Sequence, residues 1–295
     1  MFLSSYYHPQ TTIQKEEVIM PRTTCSDIDV PAIYLPVIIK SWRLETLEKK
    51  LTEAIIRCAR ICADRNRGII VSALSGGLDS SFCLAVIRKH FGSLYPIHTF
   101  TVGSSLIHPD IKSGKSVAEC LQTIHHSFIP NKKEILGAAL SKKKHPDLFR
   151  GEEPNGGLGP FFLFKTIQQE LSAAVISVIT HDGIDELLGG YWPHRQTQTA
   201  EDQRLTFQRF WKALPKKHLE PLTKKALFFG ILPIFPYLQP AVVKYISRIP
   251  LSERTGHDES KIPLRRLAEK YLPPEIVGEV IQRKKIGFCD AMKEF

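Results

Sequence analysis

Ser75-Gly76-Gly77-Leu78-Asp79-Ser80-Ser81 gathers two adjacent glycines, three hydroxyls and a carboxylate into one short segment. Paired glycines let a backbone turn tightly as it leaves a strand, so that successive N–H groups and the Ser75, Ser80 and Ser81 hydroxyls face one point at the start of a helix. Such a point attracts phosphate. An ordinary strand-to-helix turn capped by serine has the same glycines. Asp79 tilts the balance, because a carboxylate beside an anion site makes sense when it holds a divalent cation bridging to the phosphates. No Gly-Lys-Ser/Thr follows, which excludes a Walker-type loop.

A second segment, Ile179 to Tyr191, carries Asp182, Asp185 and Glu186 around Gly183, with apolar residues on both sides. Apolar flanks argue against a solvated helix face and for a metal-phosphate site; the plainer alternative is that the carboxylates cap a helix beginning near Ile184. Further cations stand at Lys261 and at Arg283-Lys284-Lys285, where solvated surface is the ordinary reading.

Both acidic segments follow apolar runs that read as buried strands. Gly68 to Leu74 is continuously apolar and β-branched, Ile97 to Val102 repeats the pattern, and His125 to Ile129 and Ala174 to Thr180 follow. Helical periodicity lies between them: from Ser41, a plausible cap, to about Asn66; from Phe82 to Phe91; and over Ile111 to Leu121, Lys132 to Leu140 and Phe161 to Leu171. Lys142-Lys143-Lys144 reads as part of a loop that continues to Pro160. Alternating strands and helices imply an α/β fold, a parallel sheet with helices on both faces, binding ligands at the carboxyl ends of its strands. Residues 1–40 read as an irregular arm, 41–194 as the α/β domain, and 195–295 as a helical C-terminal subdomain punctuated by prolines.

The 295 residues carry 40 Lys+Arg against 30 Asp+Glu, a net charge of +10 that suits an anionic substrate and is spread along the chain rather than striped. No aromatic residues alternate with the basic ones, so nucleic acid is an unlikely partner. The most apolar window, Ala226 to Pro236, is interrupted by Gly230 and Pro233, so no membrane span is expected. Met1 to Gln10 lacks the pattern of a secretory signal, which points to a cytoplasmic location. The six cysteines are irregularly spaced and read as reduced; Cys58 and Cys62, four apart on a helix, read as small core residues.

The 75–81 loop resembles the pyrophosphate loop of the N-type ATP pyrophosphatases. The acidic segment with its Gly189-Gly190-Tyr191 ending is similar to the asparagine synthetase family, C-terminal synthetase domain. Lys261-Ile262-Pro263-Leu264-Arg265, Leu272-Pro273 and Arg283-Lys284-Lys285-Ile286-Gly287-Phe288 follow in that family's order, and the resemblance covers about residues 41 to 290. It implies an adenine nucleotide alpha hydrolase-like fold and an AMP-forming amide ligase that uses ATP and Mg²⁺. On the same resemblance Ser75, Gly76, Gly77, Asp79 and Ser80 hold the phosphates, Ala73 and Val102 contact adenosine, and Asp79 and Asp185 ligand Mg²⁺. Asp182 takes the place of the glutamate tied to formation and aminolysis of the acyl-adenylate. Lys261 reaches the α-phosphate, and Lys285 and Arg283 help hold pyrophosphate. Thr180 and His181 fall where the family has Ser-Gly touching the nucleotide.

The implied partners are a small-molecule carboxylate, aspartate by preference, and ammonia or an amine. Family members that use glutamine begin with a catalytic Cys at position 2 and a full amidohydrolase domain; Met1-Phe2 and some 40 residues stand here instead, so the expectation is free ammonia, with a separate glutaminase subunit as one alternative source. Ile234 to Gln239 stands where the family has Arg-Val-Pro-Phe-Leu-Asp, with two charges gone. Intramolecular closure, as in β-lactam synthetases, amide formation on a peptide, and a non-catalytic nucleotide-binding protein therefore stay open.

Overall fold

The computed structural model describes residues 41–149, 157–171 and 176–283. The arm at 1–40, Lys285 with the rest of the Arg283-to-Phe288 motif, Cys25 and Cys289 lie outside the described residues or, for Arg283, at their edge.

Five parallel strands form the sheet: β1 (Ile70–Ala73), β2 (Ile97–Val102), β3 (Ile124–Phe128), β4 (Ser177–Ile179) and β5 (Leu232–Ile234), in the order β3-β2-β1-β4-β5. Their register is fixed by pairs such as Ile70 with Ile97, His98 with Ile124, Ser72 with Ile179 and Val178 with Pro233. The chain builds outward from β1 through β2 to β3, then returns to the other side of β1 with β4. That reversal is a topological switch point, where loops leaving two neighbouring strands diverge and open a crevice. The two connections that diverge here lead straight into the helix starts that carry Asp79 and Asp185.

Three helices pack on one face of the sheet: α1 (Leu44–Arg65), α2 (Leu78–Phe91) and α3 (Pro109–Cys120). α1 buries Leu47, Leu51, Ala54, Ile55, Cys58, Ala59 and Cys62, the stripe its periodicity predicts. Cys58, Cys62 and Cys83 are buried and unpaired to other cysteines; burial pushes the Cys58 thiol up to about 12 and that of Cys62 up to about 11, so both are inert core groups. α5 (Leu158–Leu171) covers β2 and β3 on the other face and meets α8 (Glu220–Phe228).

Three local expectations are corrected. α1 starts after Arg43 with no side-chain cap, so Ser41 plays no capping part. Lys142, Lys143 and Lys144 form the last turn of α4 (Lys132–Lys144) rather than a loop: a complete capping box between Asn131 and Glu134 launches that helix, and the lysines complement its C-terminal dipole. The chain past residue 195 is not purely helical, since β5 completes the sheet from there. The remaining helices, α7 (Ala200–Leu214), α9 (Pro240–Ile246), α10 (Leu251–Arg254), α11 (Ile262–Tyr271) and α12 (Pro274–Gln282), fold back on the first part: α9 packs on α1, α11 on α2 and α12 on α3.

Candidate active site

β1 delivers the backbone to Gly76, whose φ of +69° suits glycine; a Cβ there would lie 2.3 Å from the carbonyl carbon of Ser113, so only glycine lets the turn press against α3. The loop's hydroxyls close on one another. Ser75 Oγ accepts from the Gly77 amide at 3.3 Å and lies 3.2 Å from Ser80 Oγ, which donates to the Gly77 carbonyl at 3.2 Å. Asp79 sits in the first turn of α2, and its backbone carbonyl accepts a hydrogen bond from Tyr237 at 2.7 Å.

The second loop leaves β4 at Thr180, whose amide donates to the Ile234 carbonyl at 3.0 Å. It turns at Gly183, φ +92°, where a Cβ would meet Leu238 Cδ2 at 2.2 Å, and enters the short helix α6 (Ile184–Leu188). The buried Arg254 guanidinium donates to the carbonyls of Leu187, Ser247 and Ile249, and Thr255 Oγ1 donates to the Gly189 carbonyl, so the end of α6 is tied to α10. Ile234 to Gln239, the stretch that lost two charges, thus braces both loops: Tyr237 holds Asp79 and Leu238 abuts Gly183.

The two aspartates meet at one cation. Lys261 Nζ lies 2.5 Å from Asp79 Oδ2 and 2.6 Å from Asp185 Oδ1, and its residue is only 4% exposed. Burial disfavours a charged lysine, but the two carboxylates outweigh it and hold the ammonium above its ordinary pKa. Lys261 occupies a left-handed backbone position, φ +54°, at the N-terminus of α11. Lys261, which the resemblance assigns to the α-phosphate, here bridges the two carboxylates. One ammonium reaches both carboxylates, so Asp79 and Asp185 converge on a single cation position. Two carboxylates completed by phosphate oxygens and water suit Mg²⁺, which rarely uses an all-protein cage. Among the described residues there is no cluster of three or more His, Cys, Asp or Glu side chains fit for a metal.

A cavity of about 310 Å³ opens at this end of the sheet. Ala73, Ser75, Asp79, Ser80, Val102, Thr180, His181, Asp182 and Asp185 line it; Gly76, Gly77 and Lys261 do not. Its apolar wall adds Phe100, Leu163 and Leu222. Asp182 Oδ1 pairs with His218 Nε2 at 2.5 Å. Burial would raise the Asp182 carboxyl pKa, but the His218 charge and hydrogen bond, with Thr180 and His181, bring it below the usual value. His181, 3.4 Å from Ser72 Oγ, is held down to about 4 by burial and is neutral near pH 7. Glu186 is raised by burial and then by neighbouring Asp185, while the Tyr191 hydroxyl donates to its Oε1 at 2.9 Å.

Arg283 donates to the Ser75 carbonyl at 2.5 Å and pairs with Asp110, so it clasps the 75–81 loop from α12's end. Sequence reasoning missed His218, Asp110 and Tyr237 as site residues. His218 belongs to a π-helical turn, Pro215–Leu219, between α7 and α8; such turns gather at functional sites, but nothing in its sequence marks one.

The profile of the asparagine synthase family matches residues 47–229 and 224–295. The chain belongs to that family. It is 27% identical over 258 residues to the glutamine-hydrolysing asparagine synthetase 1 of Arabidopsis thaliana, covering 83% of this chain and 42% of the relative. The root enzyme of Pisum sativum is 25% identical over 257 residues, covering 83% and 42%. The chain thus spans less than half the length of these curated asparagine synthase relatives. Among solved structures, an NMN synthetase from Francisella tularensis overlaps 70% of this chain and 92% of its own at 15% identity and a TM-score of 0.34, too loose a match to bear on the site.

Proposed function

We propose that this asparagine synthase family member is an ATP-dependent, AMP-forming amide ligase. The observation that carries the reading is the convergence of Asp79 and Asp185, from the two loops at the switch point, on one cation position beside the glycine turn. In this reading the 75–81 loop receives the triphosphate and Ala73, Val102 and Phe100 flank the adenosine. A substrate carboxylate oxygen attacks the α-phosphorus, pyrophosphate leaves, and an amine nitrogen then attacks the acyl carbon, expelling AMP and losing a proton. Asp79 and Asp185 would hold Mg²⁺, which when bound neutralises phosphate charge. Lys261, whose ammonium lies against both carboxylates when Mg²⁺ does not, supplies positive charge at this end of the crevice, and Arg283 steadies the loop. The Asp182–His218 pair stands at the cavity wall, where the imidazole's charge and hydrogen bond keep the Asp182 carboxyl ionised. The buried walls exclude water, which protects an acyl-adenylate from hydrolysis.

Aspartate with ammonia is the favoured substrate pair, and a separate glutaminase subunit is one source of that ammonia. The apolar Ile234 to Gln239 stretch favours a second reading, closure of a ring or an amide on a larger acid, because that stretch braces the loops without offering a charge to a free amino acid. Pyrophosphate release from Mg-ATP, measured across a panel of carboxylic acids with and without ammonium, tests the proposal. Acid-dependent release that Asp79→Asn abolishes is the expected result. Silence with every acid overturns it.

A further inference from the structure

Four of the cavity's five carboxylates have a nitrogen partner that carries or accepts a positive charge. Lys261 serves Asp79 and Asp185, His218 serves Asp182, and Arg283 serves Asp110. Glu186 differs. It is 5% exposed and lines the cavity; Oε1 accepts the Tyr191 hydroxyl, and Oε2 has no hydrogen-bond partner among the described residues. Leaving a buried carboxyl oxygen without a donor is costly, so such an oxygen calls for one that the described protein does not supply. Tyr191 holds the group in place, because a phenol on Oε1 fixes the carboxyl plane and leaves Oε2 on the side away from it.

We propose that Glu186, oriented by Tyr191, is the docking point for the nitrogen of the amine substrate, an ammonium ion or a primary alkylammonium group whose N–H bonds to Oε2. The site deepens the ligase reading and rests on it for treating the amine as a substrate. Asp182, paired with His218, stands four residues earlier and lines the same cavity, so a nitrogen docked here lies on the wall that carries that pair. The chemistry asked of the ligand is specific: a small cation with hydrogens to donate.

Thermal unfolding of the full chain in methylammonium chloride, compared with tetramethylammonium chloride at equal ionic strength, reads binding without turnover. Wild type is expected to gain a saturable rise in midpoint with methylammonium alone, since tetramethylammonium has no N–H. Glu186→Gln, which keeps an acceptor for Tyr191, is expected to weaken the apparent affinity about tenfold or more. Equal responses of wild type to the two salts overturn the proposal, and so does an unchanged methylammonium response in Glu186→Gln. Loss of a Mg²⁺ response with retention of the methylammonium response also overturns it, by making Glu186 a metal ligand. If Glu186→Gln fails to fold, the comparison of the two salts on wild type still decides. Absence of pyrophosphate release with every acid would sink the ligase reading while leaving this binding result intact, so the two failures are separable.

Discussion

Lys261 Nζ and the Asp79 carboxylate are 2.5 Å apart although 182 residues separate them in the chain, and the same nitrogen lies 2.6 Å from Asp185. One buried ammonium therefore ties the start of α2, the start of α6 and the start of α11 together. The strained left-handed φ of Lys261 is held where three elements meet. The cation position that the two loops create is filled by the protein's own side chain, so the crevice is organised before any ligand arrives.

Removing that ammonium should show as lost stability. Lys261→Ala leaves the buried Asp185 carboxylate and the partly buried one of Asp79 without their shared cation, and breaking such a pair costs up to about 3–5 kcal/mol. Urea unfolding is expected to show a loss of this size, with part of it recovered when Mg²⁺ is added. Wild type should respond less to Mg²⁺ without nucleotide, because Lys261 already balances the site.

Gly190 makes the arrangement possible. A Cβ there would lie 1.7 Å from Asp185 Oδ1 and 2.4 Å from Lys261 Cε. Gly190→Ala must displace the ion pair, and overpacking of this kind costs about 1–3 kcal/mol. Gly278, on the exposed side of α12 with nothing within 4 Å of a built Cβ, is the control. Gly278→Ala is expected to stabilise by about 0.5–1 kcal/mol, and the opposite signs can be read from paired denaturation curves.

The sheet's centre was legible because buried parallel strands are continuous apolar runs, and the switch-point loops announced themselves by glycines and carboxylates. β5 was not. Leu232-Pro233-Ile234 looks like a loop because of its proline, yet β5 is the edge strand and bonds β4 through the Leu232 amide and the Ile234 carbonyl. The Pro233 nitrogen faces away from the ladder, where no donor is needed. His218 was hidden for another reason: it reaches Asp182 across 36 residues from a π turn, and only the packing of α7 and α8 brings it there. Lys261 stands out in the sequence only through the order of the family's motifs, and its carboxylate partners depend on three elements meeting, which no local pattern records.

Tyr237→Phe isolates the brace on the nucleotide loop. The hydroxyl is lost from a fully buried ring, and the Asp79 carbonyl loses its 2.7 Å donor. The expected stability cost is about 1 kcal/mol. If the brace orients Asp79 as the proposed function requires, calorimetric titration of Mg-ATP should show weaker binding in this variant, while a control such as Tyr245→Phe, whose hydroxyl bonds Arg43 far from the loop, leaves binding unchanged.

His181 should give the protein a defined pH window. Burial holds its folded-state pKa near 4, below the ordinary 6.5. As pH falls below about 6.5 the unfolded chain takes up a proton that folded His181 refuses until about 4, so stability falls through that interval and is fully present above it. The full swing from this residue is about 3 kcal/mol at most. His125, also lowered to about 4 by burial, contributes to the same window from the edge strand β3. His181→Gln is therefore expected to flatten, but not abolish, the dependence of the unfolding free energy on pH between 4 and 6.5, and to leave the plateau above pH 7 without slope. A variant curve as steep as that of wild type would place the protonation elsewhere.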